Sequence, residues 1–201
     1  MKKILPFFSY LFHPLFIPAL AVIFFFYLDL NFLVAAEKYL ILIQVVIITI
    51  LIPISFFFLL RSMKKIDTMM AHDLKQRKAP LLMHAILICI LIRQSITFEM
   101  IPELYYFFLA IMISTLWALI FVLFKVKISL HMMGMAGFLF FVIGLGLHNA
   151  TNISNVLAFW LVMTGFTASS RLAMHAHNVK ELGLGFLAGM APQIILWYFW
   201  L

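Results

Sequence analysis

Residues 39–60 read YLILIQVVIITILIPISFFFLL, without one charged side chain. A run of ~18 or more apolar residues is long enough to cross a bilayer as a helix. A strand is not an option there, because an isolated strand in lipid leaves its backbone groups unpaired. The stretch is therefore read as a membrane span, and the rest of the chain repeats its character. Further apolar segments run over 6–28, 80–97, 104–124, 131–148, 153–170 and 182–201. The last of them also fits a half-span or an interfacial helix. The predicted fold class is all-α, a polytopic transmembrane helical bundle of six to seven spans, with residues 1–201 forming a single integral membrane domain. Composition agrees: 66% of the residues are hydrophobic and 10% charged, where a soluble domain carries roughly 25% charged. Met1-Lys2-Lys3 opens like a signal peptide, but no small-residue cleavage site follows, so 6–28 is expected as a retained first span. Pro14, Pro18 and Pro53 should kink the helices that contain them.

The breaks between spans carry the charge. Arg61 to Lys78 is rich in Lys, Arg and Asp, whereas Asp29 to Lys38 and Thr97 to Glu103 are short and acidic. If seven crossings alternate sides, one face collects Lys2, Lys3, Arg61, Lys64, Lys65, Lys75, Arg77, Lys78, Lys125, Lys127, Arg171 and Lys180. The other face has only Lys38 and Arg93. The positive-inside rule assigns the basic face to the cytoplasm. The Lys/Arg run 61–78 also suits anionic lipid headgroups. No Walker loop, dinucleotide fingerprint or metal-ligand spacing is present. The pI of about 9.7 reflects topology and phosphate binding, and no nucleic-acid partner is implied.

Polar residues in a membrane protein are costly and mark function. The densest cluster is Ser170-Arg171-Leu172-Ala173-Met174-His175-Ala176-His177-Asn178-Val179-Lys180-Glu181. On a helix His177 and Glu181, four apart, face each other, and Ser170 shares their stripe. A carboxylate that accepts the proton on one ring nitrogen fixes the tautomer of His177 and leaves the other nitrogen as a nucleophile. Arg171 supplies a planar fork suited to phosphate oxygens.

Ser-Arg, five residues, His, three residues and an acid resembles the third motif of the type 2 phosphatidic acid phosphatase family, with Glu181 where that family has Asp. The family's second motif, Pro-Ser-Gly-His, is similar to Ile128-Ser129-Leu130-His131. Its first, Lys, six residues, Arg-Pro, is matched only in composition, by Lys75, Arg77, Lys78 and Pro80. The resemblance covers about residues 61–190. It implies that His177 attacks phosphorus and becomes a phosphohistidine, that Glu181 orients it, and that His131 protonates the leaving oxygen. Arg171, Arg77, Lys75 and Lys78 would hold the phosphate, and Ser129 and Ser170 would donate hydrogen bonds. Such chemistry needs positioning and charge neutralisation rather than a metal or cofactor. The substrate class implied is a lipid phosphate such as phosphatidic acid, phosphatidylglycerol phosphate, a polyprenyl pyrophosphate or a lipid A phosphate. In the family the site faces away from the cytoplasm, opposite to the charge reading.

Two other readings stand beside this one. Leu130, in place of Gly, and the eroded first motif fit a non-catalytic lipid-phosphate binder. Polar residues lining a pathway would make a small transporter. Among the remaining histidines, His175 and His148 are expected at the interface. His13 and His84 are expected to bond neighbouring helices within spans. His72, Asp67 and Asp73 are expected to be solvated. Gly134, Gly137, Gly144, Gly146, Gly183, Gly185 and Gly189 are expected to allow close helix packing.

Overall fold

Proline decides how the first apolar segments fold. A computed structural model of the chain describes residues 5–28, 33–67 and 73–201. Met1, Lys2, Lys3, Asp29 and His72 lie outside the described residues. The expected first span is not one kinked helix but two short ones, α1 (Leu5–Leu11) and α2 (Ile17–Tyr27), on either side of a turn that holds His13 and Pro14. Pro18 falls in the first turn of α2, where a missing N–H leaves no bond unmade. Pro53 is accommodated differently. Residues Ala35–Ser62 form one helical run, made of α3 (Ala35–Val46), a π-helical segment (Ile47–Leu51) and α4 (Ile52–Ser62). Proline has no N–H and its ring crowds the carbonyl four residues earlier, and a widened turn relieves both. Thr49, that earlier residue, turns its hydroxyl back to the Val45 carbonyl at 2.8 Å. A hydroxyl in lipid has no better acceptor than its own helix.

The helices that follow are α5 (Leu74–Gln94), α6 (Pro102–Leu123), α7 (Leu130–His148), α8 (Ser154–Ala173) and α9 (Val179–Trp197). Every regular element among the described residues is helical, as predicted, and the chain is a membrane protein. Five helices among the described residues are long and apolar enough to cross a bilayer: Ala35–Ser62, α6, α7, α8 and α9. The α5 helix falls short of that standard. Lys75, Arg77, Lys78 and Arg93 occupy its ends, and the uncharged middle, residues 79–92, is shorter than the ~18 residues a span needs.

Four helices end alike. After α4, α6, α7 and α8, a residue in the left-handed region closes the helix: Lys64, Lys125, Ala150 and His175, with φ between 50° and 59°. Each lets the next N–H reach a carbonyl five residues back, as Ala176 does to Arg171 at 3.1 Å. This double closure satisfies carbonyls that would otherwise have no donor.

The chain divides into two compact units, Met1–Ile17 with Ile128–Leu201, and Pro18–Lys127. In the second, the α3–α4 run packs on α5, and α5 on α6. His84 Nδ1 and Thr115 Oγ1 meet at 3.2 Å across α5 and α6, as expected of a histidine inside a segment of this kind. Asp73 is exposed but caps α5, accepting from the Lys75 N–H at 3.0 Å, and Asp67 accepts from the Gln76 amide at 2.8 Å. In the first unit α7 lies against α8 and α9, and α1 lies against α8. A row of rings joins three of these helices: Phe8 stacks on Phe166, while Trp160 meets Phe12 and Phe138 edge-on. Phe159, Leu161 and Val162 of α8 are exposed, a surface suited to lipid.

Glycine sets how closely α7 and α9 approach. A Cβ at Gly185 would collide with the Ser129 carbonyl, and one at Gly189 with the Met133 carbonyl. Gly137, Gly144 and Gly146 also face neighbours within van der Waals reach. Gly183 does not: a Cβ there would meet nothing within 4 Å, so it has no part in close packing.

Candidate functional site

The tight α7–α9 contact brings the starts of two helices together. The Ser129 N–H donates to the Glu181 carbonyl at 3.1 Å, which ties the entrance of α7 to the first turn of α9. Both N-termini bring partial positive charge to one end of the unit, a setting that favours an anion. The C-terminal turn of α8 arrives at the same place with Arg171, which is 2% exposed. A cation in the last turn complements the negative end of that helix dipole. The Arg171 guanidinium approaches the Met174 sulfur at 4.0 Å.

His177 and Glu181 meet, with Nδ1 to Oε2 at 2.6 Å. They do so for a reason other than a continuous helix. The α8 helix closes at Ala173, His175 takes φ 51°, and α9 starts only at Val179. Asn178 caps α9: its side-chain oxygen accepts from the Glu181 N–H at 2.9 Å, while its amide donates to Glu181 Oε1 at 3.3 Å. The carboxylate is thus held over the helix entrance, and His177, just before the cap, leans into it. The ionised carboxylate accepts from Nδ1–H, so Nε2 carries the ring's lone pair. The side chain of His177 is 2% exposed.

His131 lies in the first turn of α7 and is 6% exposed. Its Nε2 is 3.0 Å from the main-chain carbonyl of Ser9. A carbonyl can only accept, so Nε2 bears the proton and Nδ1 is the open position. Arg171, His13 and His177 all stand near enough for their charges to act on His131. Leu130 is the first residue of α7 and is absent from the residues with positive φ. This position makes no demand for glycine's backbone freedom.

The two serines have structural partners. Ser129 is fully buried and caps α7, its Oγ accepting from the Met132 N–H at 3.4 Å. Ser170 is also fully buried, and its Oγ lies 2.6 Å from that of Ser9, joining α8 to α1. Of the residues expected to bind phosphate, Lys75, Arg77 and Lys78 belong to α5, in the second unit. Arg77 is buried, at 5% exposure. Lys75 and Lys78 are exposed and line an open recess of about 290 Å³ with Lys65, Gln76 and three apolar residues.

Ser9 and His13 are the site residues that sequence reasoning misses. His13 is not bonded across two spans. It sits in the turn between α1 and α2, with its ring 5.2 Å from that of His131 and nearly perpendicular to it. The signal available was a histidine and a serine four apart within an apolar run, since ionisable groups at such positions mark function by default.

His175 is exposed and occupies the left-handed closing position of α8. Glycine adopts that conformation without the ~1 kcal/mol that a side chain costs there. His175→Gly is expected to raise the melting temperature by about 2 °C and to leave function within about twofold. Thermal unfolding in detergent beside an activity assay checks both.

Neither a family model, nor a curated protein, nor a solved structure matches the chain.

Proposed function

We propose that this protein is a multi-pass enzyme of a bacterial inner membrane that removes phosphate from a lipid through a phosphohistidine, as its resemblance to the type 2 phosphatidic acid phosphatases implies. One observation carries the reading. The 2.6 Å His177–Glu181 pair stands in the same unit as Arg171 and His131, at the meeting of two helix N-termini.

The steps follow from the two ring orientations. Nε2 of His177 attacks phosphorus, a P–N bond forms, and the bond to the leaving oxygen breaks. Glu181 holds the Nδ1 proton and stabilises the positive charge that grows on the ring. His131, which takes up a second proton on Nδ1 when the anionic phosphate binds, gives that proton to the departing oxygen while its Nε2–H stays on the Ser9 carbonyl. Arg171 and the helix N-termini neutralise the phosphoryl oxygens. Water then attacks phosphorus, His131 recovers a proton from it, and the P–N bond breaks to release phosphate. The headgroup reaches the site from the membrane edge while its tails remain in the bilayer.

The test is release of inorganic phosphate from phosphatidic acid, phosphatidylglycerol phosphate or a polyprenyl pyrophosphate by the purified full chain in detergent micelles. Release should be blocked by orthovanadate and indifferent to chelators. No release from any of these substrates would refute the reading. The same protein binding them without turnover would make it a lipid-phosphate binder.

A further inference from the structure

We propose that His13 is a third imidazole of the site, a ligand to a phosphate oxygen, supplied by the N-terminal segment that lies outside the motif-bearing region. The inference rests on the phosphatase reading for its ligand class, but not for its geometry. The turn that holds His13 is docked by three contacts, two through α1 to α8 and one to α7. Ser9 ties α1 to α8 through Ser170 at 2.6 Å. Phe8 stacks on Phe166 of α8, with ring centroids 4.7 Å apart. On α7, Gly134 leaves room for the turn: a Cβ there would lie 3.3 Å from Ile17 and 3.9 Å from Pro14. Gly134 is three residues beyond His131, so this close approach lays His13 directly against that ring.

The nitrogens of His13 are then assigned by their partners. Nδ1 accepts from the Leu15 N–H over a long 3.4 Å, so in the neutral ring the proton is on Nε2. Among the described residues, no protein group takes that Nε2–H. His13 is half-buried, more open than His131, and Arg171 is close enough for its charge to act on it. An N–H donor without an acceptor, beside a guanidinium and a buried imidazole, calls for an anionic oxygen. The His131 ring stands 5.2 Å away, with Nδ1 the nitrogen left by its bond to the Ser9 carbonyl. The pair therefore divides the work: His131 exchanges a proton with the departing oxygen, and His13 holds a phosphoryl oxygen by a hydrogen bond that a charged acceptor strengthens. The Ser9 carbonyl acts through His131 and is a positioning group, because it selects the ring nitrogen that stays protonated.

The experiment titrates the detergent-solubilised full chain with orthovanadate and, separately, with inorganic phosphate. His13→Ala should weaken the affinity for each by about tenfold or more, the scale of one hydrogen bond to a charged group. His13→Gln, whose amide can still donate, should recover a substantial part of it. With imidazole nitrogens labelled in the unmodified chain, the His13 resonances should move as inorganic phosphate is added. That measurement needs no variant to fold. Vanadate affinity unchanged in His13→Ala, or a His13 signal indifferent to phosphate, would overturn the proposal. Lipid-phosphate hydrolysis by the unmodified chain together with that indifference would remove His13 from the site and leave the phosphatase reading intact. Phosphate binding that depends on His13, in a chain that hydrolyses no lipid phosphate, would support the inference and end the hydrolase reading.

Discussion

His177→Ala should abolish phosphate release, by about 10⁴-fold or more, with expression and melting temperature little changed. The size follows from what is lost. Removing a covalent nucleophile deletes a whole reaction path, and other groups cannot take it over in part. The 2.6 Å bond to Glu181 holds His177, and Glu181 keeps its bonds to Asn178 in the variant. The cap of α9 therefore survives, and so does the approach of that helix to α7. Rapid quench of the unmodified enzyme into alkaline detergent with labelled substrate should trap an acid-labile, alkali-stable phosphoprotein. The variant should trap none. Turnover at an unchanged rate in His177→Ala would put the nucleophile elsewhere. Turnover reduced only a few-fold would point to direct attack by water with His177 as a base.

How far the sequence reveals this arrangement varies with the distance over which each part is determined. Long uninterrupted runs such as 39–60 are legible because lipid requires them and nothing else does. The pairing of His177 with Glu181 is legible because four residues separate them, although the physical route differs from a continuous helix. Asn178 interrupts the helix and then rebuilds its entrance around Glu181, and a helix-face projection does not anticipate that. Prolines are ambiguous in advance. Pro53 produces a widened turn inside one long run, whereas Pro14 lies in a full break that leaves α1 and α2 short. Contacts far apart in sequence are not legible at all. Ser9 and His131 are 122 residues apart, and Ser9 and Ser170 161 apart. No local pattern announces that the first short helix serves the same end of the unit as the last break. The motif-like serines show the reverse. Ser129 and Ser170 stand at the expected positions, but their bonds cap a helix and tie two helices together.

The second large effect concerns packing. Gly189→Leu should lower the melting temperature by roughly 5–10 °C and remove most activity, although residue 189 takes no part in the chemistry. A Cβ at that position would run into the main-chain carbonyl of Met133 and stand 3.0 Å from the Gly137 nitrogen. Backbone cannot rotate away as a side-chain tip can, so α9 must move off α7. Overpacking of this kind costs about 1–3 kcal/mol or more, and in a protein of this size each kcal/mol is worth about 2–4 °C. The displacement spreads because Gly185, one turn earlier, meets Ser129 in the same way, and Ser129 donates its N–H to the Glu181 carbonyl. Sliding α9 by even an ångström separates the two helix entrances and carries the Glu181–His177 pair away from His131. Gly183→Leu is the matched control on the same helix. Its Cβ would enter open space, so the melting temperature should stay within about 1–2 °C. Side by side, the two variants separate close backbone approach from the general cost of a larger residue in α9. Equal losses would mean that a larger residue anywhere on α9, rather than the α7–α9 contact, is what this region does not accept. A loss confined to Gly189→Leu would show that the geometry of the site is set by two carbonyls that only glycine allows α9 to approach.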